Sequence, residues 1–483
     1  MLLTAISFTL FLDIFLFLWR IRSSTLQWSQ MACPITGKRC ITYGTFDLFH
    51  EGHQKLLQRA RELGSHLIVA ITSDSFDAAR GKLNVRQPLM ERIEGVQNSG
   101  LADQIIIEEY QGQKVHDIIK YKIDIFAIGS DWTGSFDYLA SHCEVVYLER
   151  TAGVSSTQLR GELRLGIVGC GRIAQRFVQE AKFVSGVRVE AVYSRLLSSA
   201  TEFASRSGIL HIFESIEELL DTVDAVYIAS PHLTHVPHVT AALMSGKHVL
   251  CEKPLCFTRQ EAETLYKLAS EKGVVLLEAI KTAFLPGFRQ MVAVAQSGDI
   301  GKIRSISATC TMLRSPTGRE YDAEQAGGSI TELGSYPLLA IVKLLGHGAI
   351  DSVSSKSIRH SETGIDILSR IDILTNGAMA IGTVALGVKA EGDLVIAGTK
   401  GYIYVPAPWW IMTSFQLRFE DAMKYRNFST LMEGDGLRYE LAEFIKMISE
   451  GRSESSDLTT KESCAIAWCI ERVRSECQTI GVQ

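Results

Sequence analysis

The chain has 483 residues, 46% hydrophobic and 21% charged, with 39 glycines and only 10 prolines. At ~100–200 residues per domain this makes about three domains, and the composition excludes a disordered, collagen-like or small disulfide-stapled protein. Lys and Arg number 49 against 54 Asp and Glu, a net charge of −5, so no global excess of positive charge exists to hold a nucleic-acid backbone.

Leu2–Trp19 is mostly apolar and is followed by Arg20 and Arg22. Its length just reaches that of a membrane span, yet it lacks the basic start and small-residue cleavage site of a secretory signal. Residues 1–30 are therefore read as a hydrophobic leader: an anchor, a surface helix giving weak membrane association, or a stretch upstream of a start at Met31. Arginines after an anchor hold the downstream domains in the cytoplasm, so a cytoplasmic protein is expected in every case. The 10 cysteines form no C-x-x-C pair and read as reduced thiols packed as small hydrophobes.

Residues 36–160 are expected to form the first domain. Cys40–Tyr43, Leu67–Ile71, Ile105–Ile107, Ile123–Ile128 and Val145–Leu148 are short apolar runs alternating with helical patterns such as His53–Leu63. That alternation predicts an α/β domain with a parallel sheet, whose ligands bind at the carboxyl ends of the strands. The loop after the first strand carries Gly44-Thr-Phe-Asp-Leu-Phe-His50-Glu-Gly-His53. His50 and His53 flank a glycine at a helix start, where the backbone can approach a ligand and negative charge is favoured. Such a cradle suits a nucleoside triphosphate attacked at its α-phosphorus, the imidazoles donating to oxygens that gain charge.

Ile41–Thr157 resembles the nucleotidyltransferase superfamily, and within it the glycerol-3-phosphate cytidylyltransferases. Three blocks carry the likeness: Ile41 through His53; Ile123–Trp132 with Gly129-Ser130-Asp131-Trp132; and Cys143–Thr157, ending Arg150-Thr-Ala-Gly-Val-Ser-Ser-Thr157. The resemblance implies CTP, accompanied by Mg2+, bound by Thr45, Phe46, His50, His53, Lys82, Asp131, Arg150, Thr151, Ser155, Ser156 and Thr157. It further implies a small polyol phosphate held by Arg80, Arg92 and Lys114, although Gly100 stands where relatives carry an arginine. H-x-G-H alone is shared with adenylyltransferases; the Arg150–Thr157 block favours CTP.

Residues 161–285 begin a second nucleotide site. Leu165-Gly-Ile-Val-Gly169-Cys-Gly171-Arg172-Ile173-Ala174 is a strand running into G-x-G-x-x-A and an amphipathic helix, the context a dinucleotide turn requires. Gly169, Gly171, Arg172 and Ile173 are its cofactor candidates. The next strand, Val187–Tyr193, ends in Ser194-Arg195, and an arginine there suits the 2′-phosphate of NADP better than NAD. Ala225–Ala229 leads to Ser230-Pro231-His232, with His235 read either as a cofactor ligand or as a cap-region histidine. Val249–Cys251 leads to Glu252-Lys253-Pro254, where proline fixes an extended or turn geometry, in cis or trans, and holds the lysine at a strand end.

E-K-P at this distance from G-x-G-x-x-A resembles the Gfo/Idh/MocA oxidoreductase family from Leu163 to the C-terminus. Glu278–Pro286, Gly327–Pro337 and Gly398–Pro406 are similar to its dihydrodiol dehydrogenase-like branch. The resemblance implies Lys253 and Tyr336 as the proton-handling pair, Glu252 beside the cofactor and Glu332 as a substrate or lysine partner. Spacing of four residues puts Glu332 and Tyr336 on one face of a single helix. Residues 286–483 read as an α+β domain: strands from Ile303 to Val405 in a large, mainly antiparallel sheet that closes the substrate pocket and forms a homo-oligomer, then helices Leu437–Ser449 and Lys461–Cys477.

The whole is expected to be a bifunctional enzyme, joining cytidylyl transfer to NAD(P)-dependent chemistry on a sugar- or polyol-like substrate. The alternative is a transferase whose second half is a non-catalytic, NADP-binding oligomerisation module.

Overall fold

The computed structural model describes residues 37–79, 83, 85–110, 112–149 and 162–482. These fall into two units: residues up to 73 with those from 87 to 149, and residues 74–86 with those from 162 onward.

In the first unit, strands β1 (Arg39–Gly44), β2 (His66–Thr72), β3 (Gln104–Glu108), β4 (Ile125–Gly129) and β5 (Glu144–Leu148) form one sheet in the order β3-β2-β1-β4-β5, parallel throughout. The central strands are apolar on both faces because both faces are covered. Cys40, Leu67, Val69 and Ile71 pack on one side, and Ile41, Ile68, Ala70 and Phe126 on the other. The strand order reverses between β1 and β4, so the loops leaving their carboxyl ends diverge and open a crevice. Helices α1 (Glu51–Glu62), α2 (Leu89–Asn98) and α3 (Gln113–Tyr121) provide the cover.

The second unit contains two sheets. Strands β6 (Leu163–Val168), β7 (Val187–Tyr193), β8 (His211–Phe213), β9 (Ala225–Ile228), β10 (His248–Glu252) and β11 (Leu276–Ala279) make a parallel sheet in the order β11-β10-β9-β6-β7-β8. Helix α4 (Arg172–Ala181) lies on it, Phe177 stacking on Tyr227 of β9 with ring centroids 3.6 Å apart. Helix α5 (His235–Met244) comes after β9.

The other sheet has nine strands, β12–β20, and Ile303–Thr311, Ile350–Arg359, Asp366–Thr375, Ala378–Ala385, Leu394–Gly398 and Tyr402–Val405 overlap the expected strands Ile303–Met312, Ile350–Ile358, Asp366–Leu374, Met379–Val388, Asp393–Ala397 and Tyr402–Val405. It is mainly antiparallel; Ile303–Thr311 pairs in parallel with Ala378–Ala385, and Ile350–Arg359 with Cys477–Val482. Strands Ser414–Arg418, Tyr425–Ser429 and Cys477–Val482 extend it beyond the predicted set. Against it pack α6 (Ser329–Leu333), α7 (Ser335–Leu345), α8 (Leu437–Ser449) and α9 (Thr460–Ser475). Helix α9 stops short of its predicted end because Cys477 already pairs with Ser355. Among the described residues no helix is long and apolar enough to cross a membrane, and the leader of residues 1–30 lies outside them.

Two candidate active sites

At the β1 end of the first crevice, His50 is the N-cap of α1. Its Nδ1 accepts from the amides of Gly52 at 3.0 Å and His53 at 3.3 Å. An Nδ1 that accepts leaves the proton of a neutral ring on Nε2, so the tautomer is set by the cap. The His50 and His53 rings stack at 3.7 Å between centroids, and Phe46 and Phe49 pack on His53 at 5.3 and 5.7 Å. The sequence suggests that the helix N-terminus itself greets an anion. Instead these two amides are taken by His50, and the imidazole becomes the group presented.

Phe46, Lys114 and Arg92 each make contacts within the first unit. The Phe46 ring is buried beneath Gly44, where an added Cβ would sit 2.8 Å from it, and its own φ is 53°. The backbone of this loop, rather than the ring, is what a ligand could meet. The Lys114 ammonium pairs with Glu108 and lies 4.4 Å from the centroid of Tyr43, whose hydroxyl donates to Asp117 at 2.9 Å.

Arg92 is fully buried. Its Nη1 donates to the carbonyls of Thr45 at 2.7 Å and Thr72 at 2.9 Å, and its Nε to Gln87 at 3.0 Å. Gln87 in turn receives the Leu48 amide at 2.6 Å and donates its own amide to Asp47 at 3.0 Å. Arg92 thus clamps the Thr45–His50 loop from within the fold.

Asp131 lies in the 3-10 turn Ser130–Trp132 directly after β4. Arg80, Lys82, Arg150, Thr151, Ser155, Ser156 and Thr157 lie outside the described residues. Among the described residues no group of three His, Cys, Asp or Glu side chains could hold a metal ion.

The second site is a cavity of about 830 Å³ between the six-stranded sheet and the elements after it in the chain. Gly169 ends β6 with φ 102°, and a Cβ there would lie 2.7 Å from the Ala229 carbonyl oxygen. Only glycine permits this turn, which lets the chain hug a bound pyrophosphate. Gly171 caps α4, Arg172 pairs with Glu320, and Ile173 completes that wall. Ser194 and Arg195 line the rim after β7. The room and the donors fit a dinucleotide, with its pyrophosphate at Gly169–Ile173 and a ribose 2′-phosphate at Ser194-Arg195.

Ser230 lies 3.0 Å from His238 Nδ1 and accepts from Thr234 at 2.8 Å. His235 is fully buried, with Nδ1 2.8 Å from the Pro254 carbonyl and Nε2 3.0 Å from that of Ser230. Burial pushes its pKa down to about 4, so the ring is neutral. The neutral ring donates from one nitrogen only, so His235 hydrogen-bonds one of these carbonyls and packs against the other, between the β9 loop and the Lys253–Pro254 peptide, which is cis.

The Lys253 ammonium donates to the Glu332 carbonyl at 2.7 Å and lies 5.6 Å from the Tyr336 ring centroid. Glu252 accepts from Tyr227 at 2.6 Å and from the Lys253 amide at 3.3 Å, and burial raises its pKa. Burial, reinforced by Glu252, holds the Tyr336 phenol protonated far above its ordinary range. Glu332 and Tyr336 do not share one helix. Gly334 separates α6 from α7, and a Cβ there would lie 2.4 Å from the Ile330 carbonyl oxygen. Both nevertheless face the same cavity.

His232 and Arg319 escaped the sequence reading. Arg319 lies 2.9 Å from the Glu332 carboxylate and His232 3.7 Å from it. His232 is kept neutral by burial and by the charge of Lys253. Its place in Ser230-Pro231-His232 was a usable signal; Arg319 reaches the site from a distant loop and carried none.

A family model described as cytidylyltransferase-like matches residues 41–192. One for the oxidoreductase family with an NAD-binding Rossmann fold matches 163–279, and one for the GFO/IDH/MocA C-terminal domain matches 288–404. The glycerol-3-phosphate cytidylyltransferase of Bacillus subtilis is 46% identical over 131 residues, 26% of this chain and 97% of that protein. The trans-1,2-dihydrobenzene-1,2-diol dehydrogenase of Sus scrofa is 30% identical over 336 residues, 66% of this chain and 97% of that protein. The scyllo-inositol 2-dehydrogenase (NADP(+)) IolU of Bacillus subtilis is 29% identical over 331 residues, 65% and 97%. Among solved structures, the 3-ketoreductase KijD10 of Actinomadura kijaniata, in complex with NADP and TDP-benzene, has TM-score 0.61 and 26% identity, covering 66% of this chain and 99% of its own.

Proposed function

Because the chain belongs to the cytidylyltransferase-like family through its N-terminal part and to the GFO/IDH/MocA oxidoreductase family through the rest, we propose that one polypeptide carries two working active sites. The division proposed is 36–160 for the transferase, 161–285 for cofactor binding and 286–483 for substrate and oligomer contacts, all in the cytoplasm.

In the first site a polyol phosphate, glycerol 3-phosphate or a close analogue, attacks the α-phosphorus of CTP and releases pyrophosphate. A phosphate monoester is already an anion and needs no general base. What the site must supply is hydrogen bonding to oxygens that gain charge as the bond to pyrophosphate breaks. His50, with Nε2–H turned out by its cap, and the stacked His53 fill that role. Mg2+ would arrive on the triphosphate. Arg150, Thr151, Ser155, Ser156, Thr157, Lys82 and Asp131 are proposed for the nucleotide, and Arg80 for the acceptor phosphate.

In the second site NADP(H), when bound, supplies or accepts a hydride. Tyr336, kept protonated by burial, gives its proton to the substrate oxygen on reduction and recovers it on oxidation. Lys253 holds that oxygen electrostatically, while Glu332, oriented by Arg319, binds a neighbouring hydroxyl. One observation supports this catalytic reading over a merely structural module: Lys253 and Tyr336 stand together at the base of a cavity walled by the Gly169 turn.

A pyrophosphate-release screen of CTP and ATP against phosphorylated alcohols, run beside NADPH oxidation against keto and aldehyde sugars, tests both halves. CTP-dependent release with a polyol phosphate and NADPH consumption with a carbonyl partner are the expected results. Release with ATP alone, or NADPH bound but never consumed, would refute the corresponding half.

A further inference from the structure

At the reaction end of the cavity two ammonium groups, of Lys253 and Lys281, stand without a paired carboxylate among the described residues. Lys281 is buried, and its ammonium donates to the Asp435 carbonyl at 2.6 Å. Lys253 likewise spends one donor on the Glu332 carbonyl. Among the described residues neither ammonium has a carboxylate within ion-pair reach, whereas Arg176, on the same wall, has Asp435.

The buried acids nearby form no ion pair with either ammonium. Glu440 is fully buried with neither carboxyl oxygen hydrogen-bonded, and burial together with Glu252 raises its pKa well above the ordinary range. Glu252 is also driven toward its protonated form. Burial and the charge of Arg176 push the Lys281 pKa down, while Glu440, Asp435 and Glu252 oppose this. An ammonium with two donors unused, held in a low-dielectric wall without a counterion, is costly unless an anion arrives. Cofactor phosphates are met elsewhere, at the Gly169 turn and at Ser194-Arg195.

We infer that the substrate of this oxidoreductase site is phosphorylated, a keto or hydroxy polyol phosphate whose phosphate is taken by Lys281 with Arg176 while its reacting carbon lies between Lys253 and Tyr336. The inference rests on the cavity being an NADP(H) oxidoreductase site. It also gives the two halves compatible chemistry, since the alcohol phosphate formed here is the class of acceptor the first site would use. Tyr336 and Trp410, with ring centroids 6.4 Å apart, leave an apolar wall for the carbon chain.

The test uses the full chain with NADPH bound, reading nicotinamide fluorescence, which reports this cavity and not the transferase site. Matched pairs are titrated: dihydroxyacetone and its phosphate, ribulose and ribulose 5-phosphate. At least one phosphate is expected to act at tenfold or more lower concentration than its parent sugar, Lys281→Met to collapse that advantage and Lys281→Arg to keep most of it. Equal or tighter binding of the unphosphorylated sugars, or a loss in Lys281→Met that is the same for both members of a pair, overturns the inference. Failure of NADPH itself to bind overturns instead the oxidoreductase reading beneath it.

Discussion

Arg92→Met separates two roles for one residue. As a phosphate ligand, Arg92 would leave stability and nucleotide binding intact when removed, raising only the KM for the acceptor. As the buried clamp seen here, it holds the carbonyls of Thr45, Thr72 and Gln87, and Met can satisfy none of them. Hydrogen bonds to a charged group are worth about 1.5–3 kcal/mol each, and carbonyls left buried and unpaired add to the loss, so roughly 4 kcal/mol is expected after partial relaxation. For a unit of this size that is a fall of roughly 15 °C or more in its melting transition. Calorimetry of the full chain tracks the transition, and the second unit's NADPH binding is the internal control. The KM for CTP is expected to rise with the acceptor KM, because the Thr45–His50 loop moves as one piece. Arg92→Lys, which keeps the charge without the fork, should fall between. An unchanged transition and CTP KM, with only the acceptor KM altered, would refute the clamp.

Two more outcomes concern the second unit. Arg195→Asp, at the rim after β7, is expected to raise the KM for NADPH at least tenfold while favouring NADH; an unchanged preference would place the 2′-phosphate elsewhere. Burial pushes Glu278 from 4.5 to about 7, against hydrogen bonds from Ser463 and the Leu255 amide that favour its charge. The folded state therefore keeps a proton that the unfolded chain releases, and stability falls as pH rises from 4.5 to 7. The cost is absent below that window and reaches about 3 kcal/mol above it. Glu278→Gln should flatten the difference between pH 5 and pH 8 in urea unfolding; an identical slope in parent and variant would remove Glu278 as its cause.

Local features were readable wherever chemistry and backbone demand coincide. Gly169 and the β6–α4 junction are legible in G-x-G-x-x-A because no other residue tolerates the turn at Gly169. The β/α alternation of the first unit is legible in apolar runs too short to be helices. Arg92 was not readable as a clamp, since its partners come from three separate segments and Met90-Glu-Arg-Ile looks like an exposed helix turn. Spacing put Glu332 and Tyr336 on one helix, and they reach one cavity only by way of the break at Gly334. Lys281 had no local mark either: its burial is imposed by α8 and the loop carrying Asp435, which lie more than a hundred residues away. Strands Ser414–Arg418 and Tyr425–Ser429 pair mainly with each other as a hairpin at the sheet edge, where weak apolar alternation gives little warning.

The independence of the two sites is tested most directly by assaying His50→Ala and Lys253→Met, in the full chain, for both reactions. His50→Ala is expected to abolish CTP-dependent pyrophosphate release and leave NADPH-dependent reduction at the parent rate. Lys253→Met is expected to do the reverse. Parallel loss of both activities in either variant, or NADPH-dependent reduction undiminished in Lys253→Met, would contradict a chain of two separate catalysts.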